Sequence, residues 1–206
     1  MRGSPYSTDN TRIVGYAFLI VGLILVIDAI FTIVLGFVDV SDDLKEGIDN
    51  WMPYCVVSGI GSLISALLYT LFSLKVLNGT YSEKIVILEK YVRIVGLTVV
   101  IGGIFNGAAV VAGGQDLGTG IVAAAILVII GLIIMFISTK INDGKQTVGD
   151  KIIWVLLLIA FVIVLIGGVL SVISLTSIID GVAHILIALF MIAFLFDSEV
   201  KSKMNM

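Results

Sequence analysis

Six times along this chain an apolar stretch continues for about 20 residues or more, the length at which a helix rising 1.5 Å per residue crosses the hydrocarbon core of a bilayer. The stretches occupy roughly residues 12–38, 52–76, 90–112, 117–139, 151–175 and 177–196. A water-soluble domain would have to hide each of them behind a polar shell, and this chain has little to build one from. Of its 206 residues 59% are hydrophobic and 13% charged, against about 25% charged in an ordinary soluble domain. The mean hydropathy is +1.19. These features predict an all-α, polytopic membrane bundle of six transmembrane helices, with the lipid bilayer as its solvent and partner.

The same composition closes other routes. A net charge of -3 leaves no basic footprint for nucleic acid. Cys55 is the single cysteine and His184 the single histidine, so neither an internal disulfide nor a Cys/His zinc set is available. No metal and no cofactor are expected. Phosphate-binding glycine loops and HExxH patterns are absent from the sequence. The nearest approach to a serine-hydrolase motif, Gly59-Ile60-Gly61-Ser62, lacks serine at the required place. Ser62 would also lie ~15 Å into its span, while His184 stands near the start of the last one, out of reach as a base. No catalytic residue is expected, and the chain reads as a non-enzyme.

Orientation follows from the cations, because Lys and Arg resist translocation. The apolar run after Arg12 is too long for a removable signal core and lacks a small-x-small cleavage pattern, so it reads as a permanent first span behind a polar tail over 1–11. With that tail inside, the inner segments hold Arg2, Arg12, Lys75, Lys84, Lys90, Arg93, Lys140, Lys145, Lys151, Lys201 and Lys203. The outer ones hold Lys45 alone, beside Asp39, Asp42, Asp43, Glu46 and Asp49. Both termini are therefore expected in the cytoplasm, with residues 197–206 as an inner tail of a cell-membrane protein. Trp51, Tyr54, Tyr81, Tyr91 and Trp154 fall at the ends of spans, the depth that amphipathic aromatic rings prefer.

A repeat organises the spans. Arg12-Ile13-Val14-Gly15 opens the first and Arg93-Ile94-Val95-Gly96 the third, each followed by Ile20 or Ile101 and by Gly22 or Gly103 at matching offsets. Lys151-Ile152-Ile153-Trp154 opens the fifth more loosely. Lys75 precedes Gly79 by four residues, as Lys140 precedes Gly144. The pattern predicts three tandem helical hairpins in one orientation, over roughly 12–79, 90–144 and 151–196. Three hairpins with glycine-rich helices, including Ile20-Val21-Gly22-Leu23-Ile24 and Ile166-Gly167-Gly168-Val169-Leu170, resemble the HdeD-like acid-resistance membrane proteins. The resemblance implies a stress-related role in the envelope and carries over no residue role.

Helices in lipid associate where small residues let their backbones approach. Ser58, Ser62 and Ala66 repeat at four-residue spacing in the second span, and Gly103 and Gly107 do so in the third. They read as intramolecular packing, with a homo-oligomer seam as the alternative. Intramembrane ionisable groups call for a functional hypothesis. Asp28, Asn106, Asp180 and His184 all fall in the outer halves of their spans, and Asp180 and His184 are one turn apart. They make a candidate outward-facing polar pocket, with Asp28 as proton or cation acceptor and His184 as a pH-responsive partner. The alternative has Asp28 bonded inside the bundle and Asp180 capping the sixth helix. The acidic outer loop lacks EF-hand ligand order and reads as solvated. The segment 80–93 mixes Ile85, Ile87 and Leu88 with charges and should extend the third span along the interface. The expected function is structural or stress-related, and the competing one is passage of a small ion or proton through the Asp28–His184 pocket.

Overall fold

Lipid offers backbone groups no hydrogen-bond partner, so an apolar chain must satisfy them within itself, and helices do so residue by residue. The structure is a computed structural model describing residues 6–41, 45, 47–145, 147–173 and 178–206, with the side chains of 6–10 and 178–180 outside the description. Its described residues form seven helices: α1 (Tyr6–Leu35), α2 (Trp51–Leu77), α3 (Lys84–Ala112), α4 (Leu117–Ile141), α5 (Val148–Ile173), α6 (Ile178–Leu195) and α7 (Ser198–Lys203). The all-α expectation holds. Pro53 sits in the first turn of α2, where its missing N–H has no intrahelical partner to lose.

The helix ends are set by local chemistry. Gly79 and Gly144 adopt φ of 79° and 75° two residues beyond α2 and three beyond α4, in the left-handed region that turns the chain away after a helix. Asp116 caps α4, its carboxylate accepting from the Thr119 N–H at 3.0 Å and the Thr119 hydroxyl at 2.5 Å. Asp150 reaches back from the first turn of α5 to accept from the Thr147 N–H at 2.6 Å, one arm of a capping box.

Five of the helices are long and apolar enough to cross a membrane: Thr11–Leu35, Trp51–Leu77, Lys84–Ala112, Leu117–Ile141 and Val148–Ile173. The sixth expected span corresponds to α6, whose 18 residues extend only about 27 Å, just short of a ~30 Å hydrocarbon core. The turn expected at 174–177 lies outside the described residues, as do Asp42, Asp43 and Glu46 of the acidic loop. The third span starts earlier than the apolar count implied, at Lys84. Ile85, Ile87 and Leu88 are fully buried within the protein rather than laid along an interface. Large apolar side chains stand exposed along several helices, among them Ile20 and Ile27 on α1, Ile126 and Ile133 on α4, and Ile159 and Ile163 on α5. In water such a surface would aggregate; in lipid it matches its solvent.

The chain divides into two units. Unit one comprises Met1–Val21, Thr70–Arg93 and Phe136–Met206, and unit two Gly22–Tyr69 and Ile94–Met135. Unit one is built on rings. Phe18 meets Phe72 edge-on at 5.2 Å, Tyr91 lies 5.3 Å from Phe18, and Phe161 lies 6.1 Å from Tyr91. Trp154 donates its indole N–H to the Leu195 carbonyl at 2.8 Å, tying α5 to the end of α6. The Ser73 hydroxyl donates to the Gly15 carbonyl at 3.0 Å, tying α2 to α1. The short α7 turns Val200 into this core, with Met204 just beyond its end.

Unit two is built on absence of side chain. A Cβ placed on Gly107 would stand 2.5 Å from the Gly120 carbonyl oxygen, and one on Gly96 would stand 2.8 Å from that of Gly131. Gly103 approaches the Ala124 carbonyl in the same way, so α3 and α4 touch backbone to backbone. On α2 the close approach is made by Gly59, against Ala29 and Ile33 of α1, and by Gly61, against Phe105 of α3. Of the stripe nominated from sequence, Ala66 is buried, Ser58 is half-buried and Ser62 is exposed.

Candidate functional site

The four polar residues nominated from sequence divide between the units. Asp28 and Asn106 belong to unit two, and both are exposed. Asp28 stands on α1 beside Ile27 and Phe31, which are 67% and 61% exposed, so it shares the side of the helix that carries large apolar groups. Its own carbonyl accepts from the Thr32 hydroxyl at 3.0 Å, the usual back-bond of a threonine inside a helix. His184 belongs to unit one and is exposed on α6. Asp180 lies on α6 with its side chain outside the description.

A different polar region emerges at the ends of α2 and α4, both in unit one. The two ends share a seven-residue pattern, Ser73-Leu74-Lys75-Val76-Leu77-Asn78-Gly79 and Ser138-Thr139-Lys140-Ile141-Asn142-Asp143-Gly144. Ser73 and Ser138 are both fully buried, and Val76 and Ile141 are buried beside them. The Asn78 side-chain oxygen accepts from the Thr80 N–H at 3.0 Å, and the Asp143 side-chain oxygen accepts from the Lys145 N–H at 3.0 Å. Each end thus closes with the same side-chain turn followed by a left-handed glycine. Lys75 lies 5.8 Å from the centre of the Tyr81 ring, and Lys140 lies 5.9 Å from that of Phe136. Sequence reading found the lysine and the glycine of each end. Aligning the two ends would also have found the serine and the Asn/Asp that hold the turn.

Each closing turn borders a cavity, and the two cavities differ in charge. The first has a volume of about 320 Å³ and is lined by Arg12, Asn78, Tyr81 and Ser82 together with Val76 and Leu77. The second, of about 250 Å³, is lined by Lys140, Lys145 and Lys203, but also by Asp143 and Asp150. A third region couples the start of α3 to the chain end. Lys84 pairs with Asp197, and Lys203 pairs with Glu83 at 2.6 Å. Asp197 also caps α7 by accepting from the Glu199 N–H at 3.0 Å. Burial pushes the Asp197 carboxyl up, but the Lys84 hydrogen bond, the Glu199 amide and the Lys84 charge outweigh it and hold the group below the ordinary carboxylate range. A cleft of about 240 Å³ opens beside this pair, walled by Ile13, Val14, Phe190 and Phe194.

No protein-family model matches this chain, and no curated protein or solved structure matches it. Functional reading therefore rests on the geometry of the chain itself, and its firmest element is several apolar helices of membrane-spanning character.

Proposed function

We propose that this chain is a non-enzymatic integral protein of the cell membrane, crossing it six times as three tandem hairpins with both termini in the cytoplasm, and that its role is structural or stress-related in the envelope. The observation that carries the reading is the pairing of lipid-matched helices with a one-sided distribution of cations. Every Lys and Arg except Lys45 falls within unit one. On this reading α6 crosses despite its length, because a short span is accommodated by local thinning of the bilayer at modest cost. The resemblance to HdeD-like acid-resistance membrane proteins supports the stress role, and the close backbone contact of α3 with α4 supports a structural one.

Membrane-impermeant maleimide labelling in intact cells tests the topology, using a Cys55→Ser background. Lys45→Cys should label from outside, and Lys145→Cys only after permeabilisation. Outside labelling of Lys145→Cys, or glycosylation of Asn78 in a host that modifies such sequons, would invert or break the topology. A proteoliposome flux assay tests the role. Proton or cation flux that Asp28→Asn abolishes would replace the structural reading with transport through the polar residues of the outer half.

A further inference from the structure

We propose that the cavity beside Arg12 holds the phosphate group of an anionic lipid headgroup. The inference rests on the membrane reading above and assigns that protein a specific lipid partner.

The cavity is about 320 Å³, or roughly ten water volumes. It has one guanidinium in its wall, that of the exposed Arg12, with the hydroxyls of Tyr81 and Ser82 nearby. The oxygen of the Asn78 side chain is taken by the Thr80 N–H at 3.0 Å and the Thr80 hydroxyl at 2.6 Å. The polar group that Asn78 still offers is its NH₂ donor. Among the described lining residues there is no carboxylate. Glu83, next in sequence to Ser82, is bound to Lys203 at 2.6 Å. Lys75 adds a second cation beside Tyr81. A guanidinium with hydroxyl and amide donors is the chemistry that binds a phosphate oxygen, and Arg does so with two parallel N–H groups.

The position selects the source of that phosphate. One wall belongs to Thr11 and Arg12, where the apolar part of α1 begins, and the other to Leu77, where that of α2 ends. Val76 and Leu77 add apolar side chains to the lining. A cavity lined by both a cation and apolar side chains, where the apolar parts of two spanning helices begin and end, matches a headgroup joined to its acyl chains. One term opposes the anion: the carbonyl end of α2 faces this region. The structure weakens that term, because the carbonyls of Leu74, Lys75 and Val76 already accept from the N–H groups of Asn78, Tyr81 and Gly79.

The matching end of α4 is the internal control. Its cavity has three lysines, more cations than the first, yet Asp143 and Asp150 share the lining. Lys140 stands 3.8 Å from Asp143, and Lys203 is already paired with Glu83. Charge alone would favour this second cavity, whereas the lack of a carboxylate among the described lining residues favours the first.

The test uses the full chain reconstituted in phosphatidylcholine vesicles, first checked for flotation that resists alkaline extraction. Failure at that step sinks the membrane reading itself. Association of spin-labelled phosphatidylglycerol is then compared with that of spin-labelled phosphatidylcholine by electron spin resonance. Arg12→Gln should lower the preference for phosphatidylglycerol about five- to tenfold, the loss of one charge-assisted contact pair. Arg12→Lys should lower it less, and Lys145→Gln should leave it unchanged. Preference undiminished in vesicle-inserted Arg12→Gln, or lost equally in Lys145→Gln, overturns the site. Should Arg12→Gln fail to insert, Ser82→Ala together with Lys75→Gln gives the same reading, with loss supporting and retention overturning. Inorganic phosphate added to the vesicles distinguishes the source. Displacement of the labelled lipid at equal concentration would assign the cavity to a free anion and overturn the headgroup, and no displacement supports it.

Discussion

The two units of this protein solve the same problem in opposite ways. In unit one the buried side chains are large: Phe18, Phe72, Tyr91, Trp154, Phe161, Met191 and Phe194. In unit two the buried apolar side chains among the described residues are Ala29, Cys55, Ala66 and Ala109, with Gly59, Gly61, Gly96, Gly103 and Gly107 at close approaches. Unit two has Lys45 as its one cation against seven carboxylates, while unit one has eleven cations against eight. The difference is physical. Where lipid surrounds a helix on its outer side, hydrophobic exclusion gives no net attraction, and contact comes from bringing backbones together. Unit one adds a larger ring cluster, the buried hydrogen bonds of Ser73 and Trp154, and the ion pairs of Lys84 and Lys203, while unit two has the Trp51–Tyr54 ring pair and the Trp51 N–H donating to the Leu35 carbonyl at 3.1 Å.

The contrast breaks most easily in unit two. Gly107→Val would drive its new side chain into the Gly120 carbonyl, already 2.5 Å from where a Cβ would sit. We expect a loss of about 3 kcal/mol or more, seen as a collapse of the thermal unfolding midpoint in detergent. Gly102→Ala is the matched control. Its Cβ would meet nothing within 4 Å, and the better helix propensity of alanine should raise stability by up to about 1 kcal/mol. If both variants behave alike, the backbone seam between α3 and α4 is not what holds the unit. In unit one the reverse change should matter. Phe72→Ala leaves a cavity among Phe18, Tyr81 and Tyr91 and should cost about 3 kcal/mol by the same melt.

Much of this was legible in the sequence, for identifiable reasons. The helical class was open to reading because each long run is apolar over more than a strand could use, and Gly103 and Gly107 stood out by their four-residue spacing. The seam on α2 was not, because a helix that is apolar all round gives no periodicity to say which side faces a neighbour. Ser58, Ser62 and Ala66 fitted the spacing rule as well as Cys55, Gly59 and Ala66 do, and only the contacts with α1 choose between them. The burial of the start of α3 was hidden for a related reason. Ile85, Ile87 and Leu88 are interleaved with Glu83, Lys84, Glu89 and Lys90, and the ion pairs of Lys84 and Lys203 that permit this lie more than a hundred residues apart in sequence. Asp28 was visible as an acid in an apolar run, but its exposure depends on how α1 is rotated, which sequence leaves open.

The likeness of the ends of α2 and α4 predicts a smaller, paired effect. Gly79 and Gly144 have φ of 79° and 75° and nothing within 4 Å of an added Cβ. Gly79→Ala and Gly144→Ala should therefore each cost about 1 kcal/mol from backbone strain alone, with no steric contribution. Unequal losses would separate the two ends and weaken the repeat.

The smallest effect sharpens the contrast in charge. Asp197 is a carboxylate held below its ordinary range, so its pairing stabilises the folded chain above the unfolded pKa. That contribution disappears as pH falls through the depressed folded value, below the usual carboxylate range. Asp197→Asn should remove this acid-side component together with the Lys84 pair and the charge at the N-terminus of α7. The pair is only about one-quarter exposed on either side, at 24% and 25%, which puts it at the upper end of what partly exposed pairs contribute, about 1 kcal/mol. The measurement is the unfolding midpoint against pH for both forms, with Lys84→Met as the partner variant. If the double variant loses no more than either single one, the two residues act as a pair. If the losses add, Asp197 acts as the cap of α7 alone, and the chain end is held by Val200 and Met204 rather than by charge.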